Sequence, residues 1–181
     1  HDGVAPETDR SAAGTGVTFC FSERLGGVSR GPYASLNMGG STEDDPANVQ
    51  ENRRRLLAAL GAEDLLGSIV RPGQVHGDAV ARITDPASPI PEWVGRSCDG
   101  VVCTVPNVVP LLVFADCVPV VLVTPGGFAV VHSGWRGTYA QIARTAALAL
   151  MEEAHCTADE VSAYIGPHIS AQAYEVSEEL A

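Results

Sequence analysis

The stretch that decides the fold runs from Gly100 to Gly137, GVVCTVPNVVPLLVFADCVPVVLVTPGGFAVVHSGWRG. Within it, Gly100-Val105, Leu111-Ala115, Val120-Thr124 and Phe128-His132 are dense apolar runs rich in β-branched residues, separated by breakers such as Pro106-Asn107 and Pro125-Gly126-Gly127. Continuous runs of this kind predict strands covered on both faces, since a strand with one wet face would alternate apolar and polar residues. Asp116-Cys117 and His132 both fall where a predicted strand meets a loop, which places metal-capable side chains at strand ends.

Working outward toward the C-terminus, Thr138 with Gln141 three residues on reads as a capping box. It would open a helix to about Ala154 that turns Ile142, Ala146, Ala149 and Leu150 inward. Val161-Ile165 returns as a strand and ends in Gly166-Pro167-His168. Toward the N-terminus, Ile69-Val70 and Ala79-Ile83 read as strands flanking Gln74-Val75-His76-Gly77, with a Pro-rich connection from Asp85 to Pro91 beyond them. Asp45 is the expected N-cap of a helix with Pro46 at its first position; Val49, Leu56, Leu57 and Leu60 share one face and Gly61 ends it. Val17-Phe21 reads as a short strand. The Gly- and Ser-rich stretch after it, Ser22 to Ser41, is too long for an ordinary turn and is a candidate functional loop carrying Arg24 and Arg30.

With 181 residues, 45% of them apolar, one sizeable core is expected and two complete domains are not. A net charge of -11 argues against nucleic acid or an anionic membrane face as partner, because both select clustered cations. All the cations are Arg; with no Lys, Schiff-base chemistry and the P-loop lysine are excluded. Cys20, Cys98, Cys103, Cys117 and Cys156 form no Cys-x-x-Cys pair and no disulfide framework, which fits a reducing cytoplasm. No run reaches the roughly eighteen apolar residues of a membrane span, and no secretory leader pattern is present. The first residue is His1, so the start of this sequence is not expected to be the start of the gene.

His76, Cys117 and His132 together would form an N/S donor set with a fourth position open, the arrangement of a catalytic zinc site. Their spacing matches no local metal-binding pattern, and a buried Cys with structural histidines fits the same residues. Asp116 would raise the Cys117 thiol pKa, which disfavours a bare thiolate nucleophile and favours a metal ligand. Gly134-Trp135-Arg136-Gly137, between a strand and a helix start, offers backbone N–H groups and a guanidinium to an anion, or alternatively an ordinary turn around a packed Trp.

In order along the chain, Phe21-Ser22-Glu23-Arg24-Leu25-Gly26-Gly27-Val28-Ser29, Ser35-Leu36-Asn37, Glu51-Asn52-Arg53, Gln74-Val75-His76-Gly77, Cys98-Asp99-Gly100, Ala115-Asp116-Cys117-Val118-Pro119-Val120, Val131-His132-Ser133-Gly134-Trp135-Arg136-Gly137 and Ile165-Gly166-Pro167-His168-Ile169-Ser170 resemble the YfiH family. Its members are also called laccase-domain proteins, multicopper polyphenol oxidoreductases, or purine nucleoside phosphorylases of the FAMIN type, and some are discussed as peptidoglycan editing factors. The resemblance spans roughly residues 17 to 176. It implies an α+β fold, a mixed β-sheet core of layered sheets wrapped by helices, with a single domain over 17–181 after an irregular segment 1–16. It further implies a zinc site, with copper as the alternative, whose ligands map onto His76, Cys117 and His132. The implied reaction is phosphorolysis of adenosine, inosine, guanosine or methylthioadenosine to base and ribose 1-phosphate, with adenosine deamination as a second activity. The partners are then a purine nucleoside and phosphate, with a homodimer open as the assembly.

Under that reading Arg24 and Arg136 orient phosphate, and Asp99 and Asp116 are candidates for acid/base duty or for supporting the ligands. His168 stands where relatives often have Cys, which leaves it without an assigned role. A multicopper oxidase needs a blue-copper site and a further histidine-rich cluster, a demand that five histidines, with His1 at the terminus and His155 at a helix end, do not meet. The alternatives are a metal-dependent hydrolase acting on a cell-wall precursor or peptide, and a non-catalytic protein with structural zinc. Family members usually continue past Tyr174-Glu175-Val176, whereas this sequence ends at Ala181, so the resemblance implies that the usual C-terminal portion is lacking from it.

Overall fold

The computed structural model describes residues 3–87 and 96–178. Most of the connection expected from Asp85 to Pro91 lies outside the described residues. The centre is a mixed five-stranded sheet of β2 (Val80–Ile83), β3 (Gly100–Cys103), β6 (Gly127–Ser133), β5 (Val118–Thr124) and β7 (Ser162–Ile165), in that spatial order. β2 and β3 run parallel, and the other pairings are antiparallel. A separate two-stranded parallel sheet joins β1 (Ile69–Val70) to β4 (Val109–Pro110).

Successive residues of β5 point to opposite faces, and each face has its own cover. Val120 and Leu122 join Val102, Ala129 and Val131 beneath α3 (Ile142–Ala154), which contributes Ile142, Ala146, Ala149 and Leu150. Val121 and Val123 face the other way and pack on Ala12 and Phe19 from the N-terminal segment. Phe19 also stacks on Tyr164 with ring centroids 4.6 Å apart. The continuous apolar pattern of β5 is therefore that of a doubly covered strand, as expected.

Helix α1 (Pro46–Ala59) begins as its sequence requires: Asp45 accepts the Ala47 N–H at 2.9 Å, and Pro46 occupies a position where no helical N–H is needed. Gly61, at φ +70°, ends it. The buried face packs Leu56 against Val4, Leu36 and Met38.

Three expected elements are different in the structure. Val17-Phe21 forms no strand: Phe21 makes an isolated bridge to Glu7, and the aromatic side chains pack against Val121 and Val123 on one face of the sheet where a strand would have paired at its edge. Leu111-Ala115 is irregular; the short β4 precedes it, and the strand predicted from Gly100 stops at Cys103. The capping box at Thr138 is absent. Thr138 lies inside the short helix α2 (Trp135–Tyr139), its hydroxyl 2.8 Å from that of Ser133, and α3 starts after Gln141, which takes a left-handed conformation. The inward face of α3 is nonetheless the expected one.

Candidate metal centre

Four chain segments reach one end of the central sheet. The β5–β6 hairpin, with Val118 opposite Ser133, returns the chain so that Cys117 and His132 lie at the same end despite their separation in sequence. β3 starts there too: the His132 N–H donates to the Asp99 carbonyl at 2.6 Å. The turn holding His76 leads into β2, the parallel neighbour of β3. As a result, one donor atom from each of His76, Cys117 and His132 lies within 4.8 Å of the others. His132 is buried, Cys117 half-buried and His76 exposed, so the group opens toward solvent on the His76 side.

Asp99 organises this arrangement. It is fully buried, and its carboxylate receives backbone N–H groups from His76 at 3.0 Å, Val75 at 3.1 Å and Gly77 at 2.8 Å. The same carboxylate lies 2.8 Å from His132 Nδ1. Burial pushes the Asp99 carboxyl upward, but hydrogen bonds from His132 and from the Gly77, Val75 and His76 N–H groups outweigh it and hold the group below its ordinary value. An ionised Asp99 can only accept, so Nδ1 of His132 must carry the proton, and Nε2 is left with its lone pair for a cation. The three N–H bonds also hold His76 at φ +59°, a conformation uncommon outside glycine.

Close approach of the backbone depends on two glycines of the Gly134-Trp135-Arg136-Gly137 turn. A Cβ on Gly137 would stand 2.8 Å from the Gly77 carbonyl oxygen, and one on Gly134 would stand 3.3 Å from His76 Cδ2 and 3.4 Å from Cys117 Sγ. Burial, then the charges of Asp116 and Asp99, raise the Cys117 thiol above its ordinary value. A bare thiolate is disfavoured in that field, and a bound cation would reverse the balance. The donor set of two imidazoles and one thiol fits a borderline-soft divalent metal.

The remaining site residues are dispersed. Arg24 donates to the Ala34 carbonyl through Nε at 3.2 Å and Nη2 at 2.8 Å, so much of its guanidinium supports the loop over 22–41. Arg136 lies over the Trp135 ring, 4.4 Å from its centroid, and both residues are exposed. The helix expected behind this turn is only the five residues of α2, which gives little dipole for an anion. Asp116 is exposed and anchors Ile169 through its backbone carbonyl. His168 is exposed, with Nδ1 2.8 Å from the Ile169 carbonyl. Of the candidate residues, the structure therefore unites His76, Asp99, Cys117 and His132 and leaves Arg24 and His168 engaged with local backbone.

Two supporting residues carry no assignment in the sequence reading. Gln74 clasps the Val113 backbone with both ends of its amide, at 2.8 and 2.9 Å, and ties the His76 turn to the segment leading to Cys117. Phe114 packs on His132 with centroids 5.4 Å apart. Gln74, two residues before a candidate ligand, was the available signal; Phe114 offered none.

Comparison with known proteins places the sequence and the fold. The family model described as Multi-copper polyphenol oxidoreductase laccase matches residues 18–181. Purine nucleoside phosphorylase YfiH of Shigella flexneri is 37% identical over 170 residues, covering 91% of this chain and 64% of that protein. The purine nucleoside phosphorylase of Deinococcus radiodurans is 38% identical over 169 residues, covering 91% and 62%. The crystal structure of YlmD from Geobacillus stearothermophilus superposes with a TM-score of 0.79 at 31% identity, covering 98% of this chain and 63% of that one. That of the Bacillus licheniformis hypothetical protein YfiH gives 0.81 at 31% identity, covering 90% and 62%. This chain thus spans a little under two thirds of the length of these relatives. With the family model, the relatives and the fold in agreement, the chain belongs to the YfiH, or laccase-domain, family.

Proposed function

We propose that this chain carries the metal-binding catalytic region of a purine nucleoside phosphorylase. The observation that carries the reading is the convergence of donor atoms of His76, Cys117 and His132 within 4.8 Å of one another, a group that no fourth His, Cys, Asp or Glu joins among the described residues. Three donors with an exposed His76 leave room for a substrate group, whereas a structural zinc site is ordinarily closed by four. The names of the Shigella and Deinococcus relatives support the choice of reaction.

In the proposed reaction a phosphate oxygen bonds to ribose C1′ as the bond from C1′ to the purine nitrogen breaks. The bonding pair leaves with the base, which is protonated, and ribose 1-phosphate forms. A divalent metal, zinc in this proposal, would supply positive charge to stabilise the charge that develops. His76, Cys117 and His132 would hold it. Asp99 keeps His132 in the tautomer with Nε2 free, and its bonds to the His76 turn fix the other imidazole. With its carboxylate taken by four N–H donors, Asp99 is a positioning residue under this proposal and has no proton to move. Arg136, exposed above Trp135, serves as an anion donor; Arg24 acts through the one guanidinium nitrogen not engaged with Ala34. Adenosine deamination at the same centre belongs to the same reading.

Purified protein is incubated with adenosine, with and without phosphate, and the products are separated by chromatography. Adenine and ribose 1-phosphate are expected only with phosphate, and inosine marks deamination. Cys117→Ala is expected to lose both. Adenosine consumed equally without phosphate would overturn the phosphorylase reading.

A further inference from the structure

Two guanidinium groups outside the metal centre share one stretch of backbone. Arg53, on α1, donates to the Met38 carbonyl through Nε at 3.3 Å and Nη2 at 2.7 Å. Arg71, immediately after β1, lies over Gly40: a Cβ there would stand 2.8 Å from its Cζ and 3.0 Å from its Nη2, and would collide with Nη1. Met38 and Gly40 are two residues apart, so the two guanidiniums contact the same short stretch of loop. Both are half-buried, and neither pairs with a carboxylate among the described residues. Three other arginines of this acidic chain do pair with acids, Arg54 and Arg55 with Glu51 and Arg82 with Glu152 and Glu153, whereas Arg24 lies on a backbone carbonyl and Arg136 on an aromatic ring.

Like charges brought together and partly desolvated repel each other unless an anion lies between them. Burial, then the charge of Arg71, lowers the Arg53 pKa to about 10, as expected for a cation that lacks its counter-ion. Arg53 spends Nε and Nη2 on Met38, which fixes its plane and leaves Nη1, while the guanidinium of Arg71 makes no hydrogen bond within the described residues. Donors from two guanidiniums suit a tetrahedral oxyanion with several acceptor oxygens better than a single carboxylate.

We propose that Arg53 and Arg71, seated on Met38–Gly40, form a binding site for a phosphate group, either free phosphate or a phosphate monoester. A bridging phosphate would neutralise both cations, and the bare Cα of Gly40 leaves the space in which Arg71 lies. The proposal does not depend on the phosphorylase reading.

Calorimetric titration with inorganic phosphate, and separately with ribose 5-phosphate, tests it on the full chain. Saturable binding is expected, weakened about tenfold or more in Arg71→Gln, the scale of losing a charge-assisted hydrogen bond. Gly40→Ala keeps both charges but displaces Arg71, and is expected to weaken binding to a similar extent; Gly40 has no positive φ to forbid the substitution. Cys117→Ala, whatever it does to phosphate at the metal centre, is expected to keep the binding component that Arg71→Gln weakens. Binding of both probes assigns the site to the phosphate group itself, and binding of ribose 5-phosphate alone assigns it to a phosphorylated ligand. No saturable binding of either, parental affinity in both Arg71→Gln and Gly40→Ala, or binding lost in Cys117→Ala but kept in Arg71→Gln would overturn it.

Discussion

The end of the central sheet and the loop over 22–41 are both rich in polar groups, but they are built in opposite ways. At the sheet end, regular strands bring Asp99, Cys117 and His132 together and a single buried carboxylate completes the arrangement. In the loop there are no strands to do this, and side chains satisfy the backbone: Asn52 accepts the Val28 N–H at 2.8 Å and donates to Ser29 Oγ and the Asn37 carbonyl, while Asp44 accepts from Ser29 and Asn37. Strand ends fix ligands within one layer of the fold, whereas a polar network holds a long loop only as long as each member keeps its partner.

The largest expected effect comes from Asp99→Ala. Three N–H groups and His132 Nδ1 lose their acceptor in a buried place, at a cost of about 3 kcal/mol or more, with loss of metal affinity. Thermal unfolding and metal titration measure the two effects, and parental metal affinity would separate Asp99 from the centre. Leu150→Ala, beneath the same sheet, should cost about 2–5 kcal/mol in denaturant unfolding. Metal affinity in that variant should be unchanged wherever it remains folded, which distinguishes the cover of the sheet from its functional end.

In the loop, Asn52→Ala should cost about 1–3 kcal/mol, since it leaves buried partners unsatisfied. It should speed proteolysis within residues 22–41 while leaving metal affinity unchanged. The smallest effect is one of pH. Hydrogen bonds from Ser29 and Asn37 lower the Asp44 pKa below its ordinary value. A depressed carboxylate contributes stability that is fully present above its unfolded pKa of about 3.9 and is lost as pH falls through the lower folded value. The melting temperatures of the parent and Asp44→Asn should therefore differ most near neutrality and converge as pH falls from 5 to 2. A constant gap would remove the charge of Asp44 from the account.

The same contrast explains what was legible in the sequence. Asp45-Pro46 and Gly61 bound α1 because caps act within a few residues, and the doubly covered strands were visible as unbroken apolar runs. Thr138 and Gln141 matched a capping box, but the Thr138 hydroxyl meets Ser133, a competitor that helix-local reasoning does not weigh. Leu111-Ala115 has a strand's composition, yet the Gln74 side chain takes the Val113 N–H and carbonyl that a neighbouring strand would have used. His76, Cys117 and His132 were legible through the ordered motifs, whereas the way Asp99 joins two of them was not, because its four donors come from segments distant in sequence. The pairing of Arg53 with Arg71 likewise exists only once α1 and the end of β1 meet the same loop.

The central claim is that His76, Cys117 and His132 form one metal site. It is tested most directly by titrating the metal-free protein with Co2+ and following the thiolate-to-metal absorption. One equivalent per chain is expected, with the thiolate band, and Cys117→Ala should lose the band while His132→Ala loses tight binding. An unchanged stoichiometry and spectrum in Cys117→Ala would contradict the account.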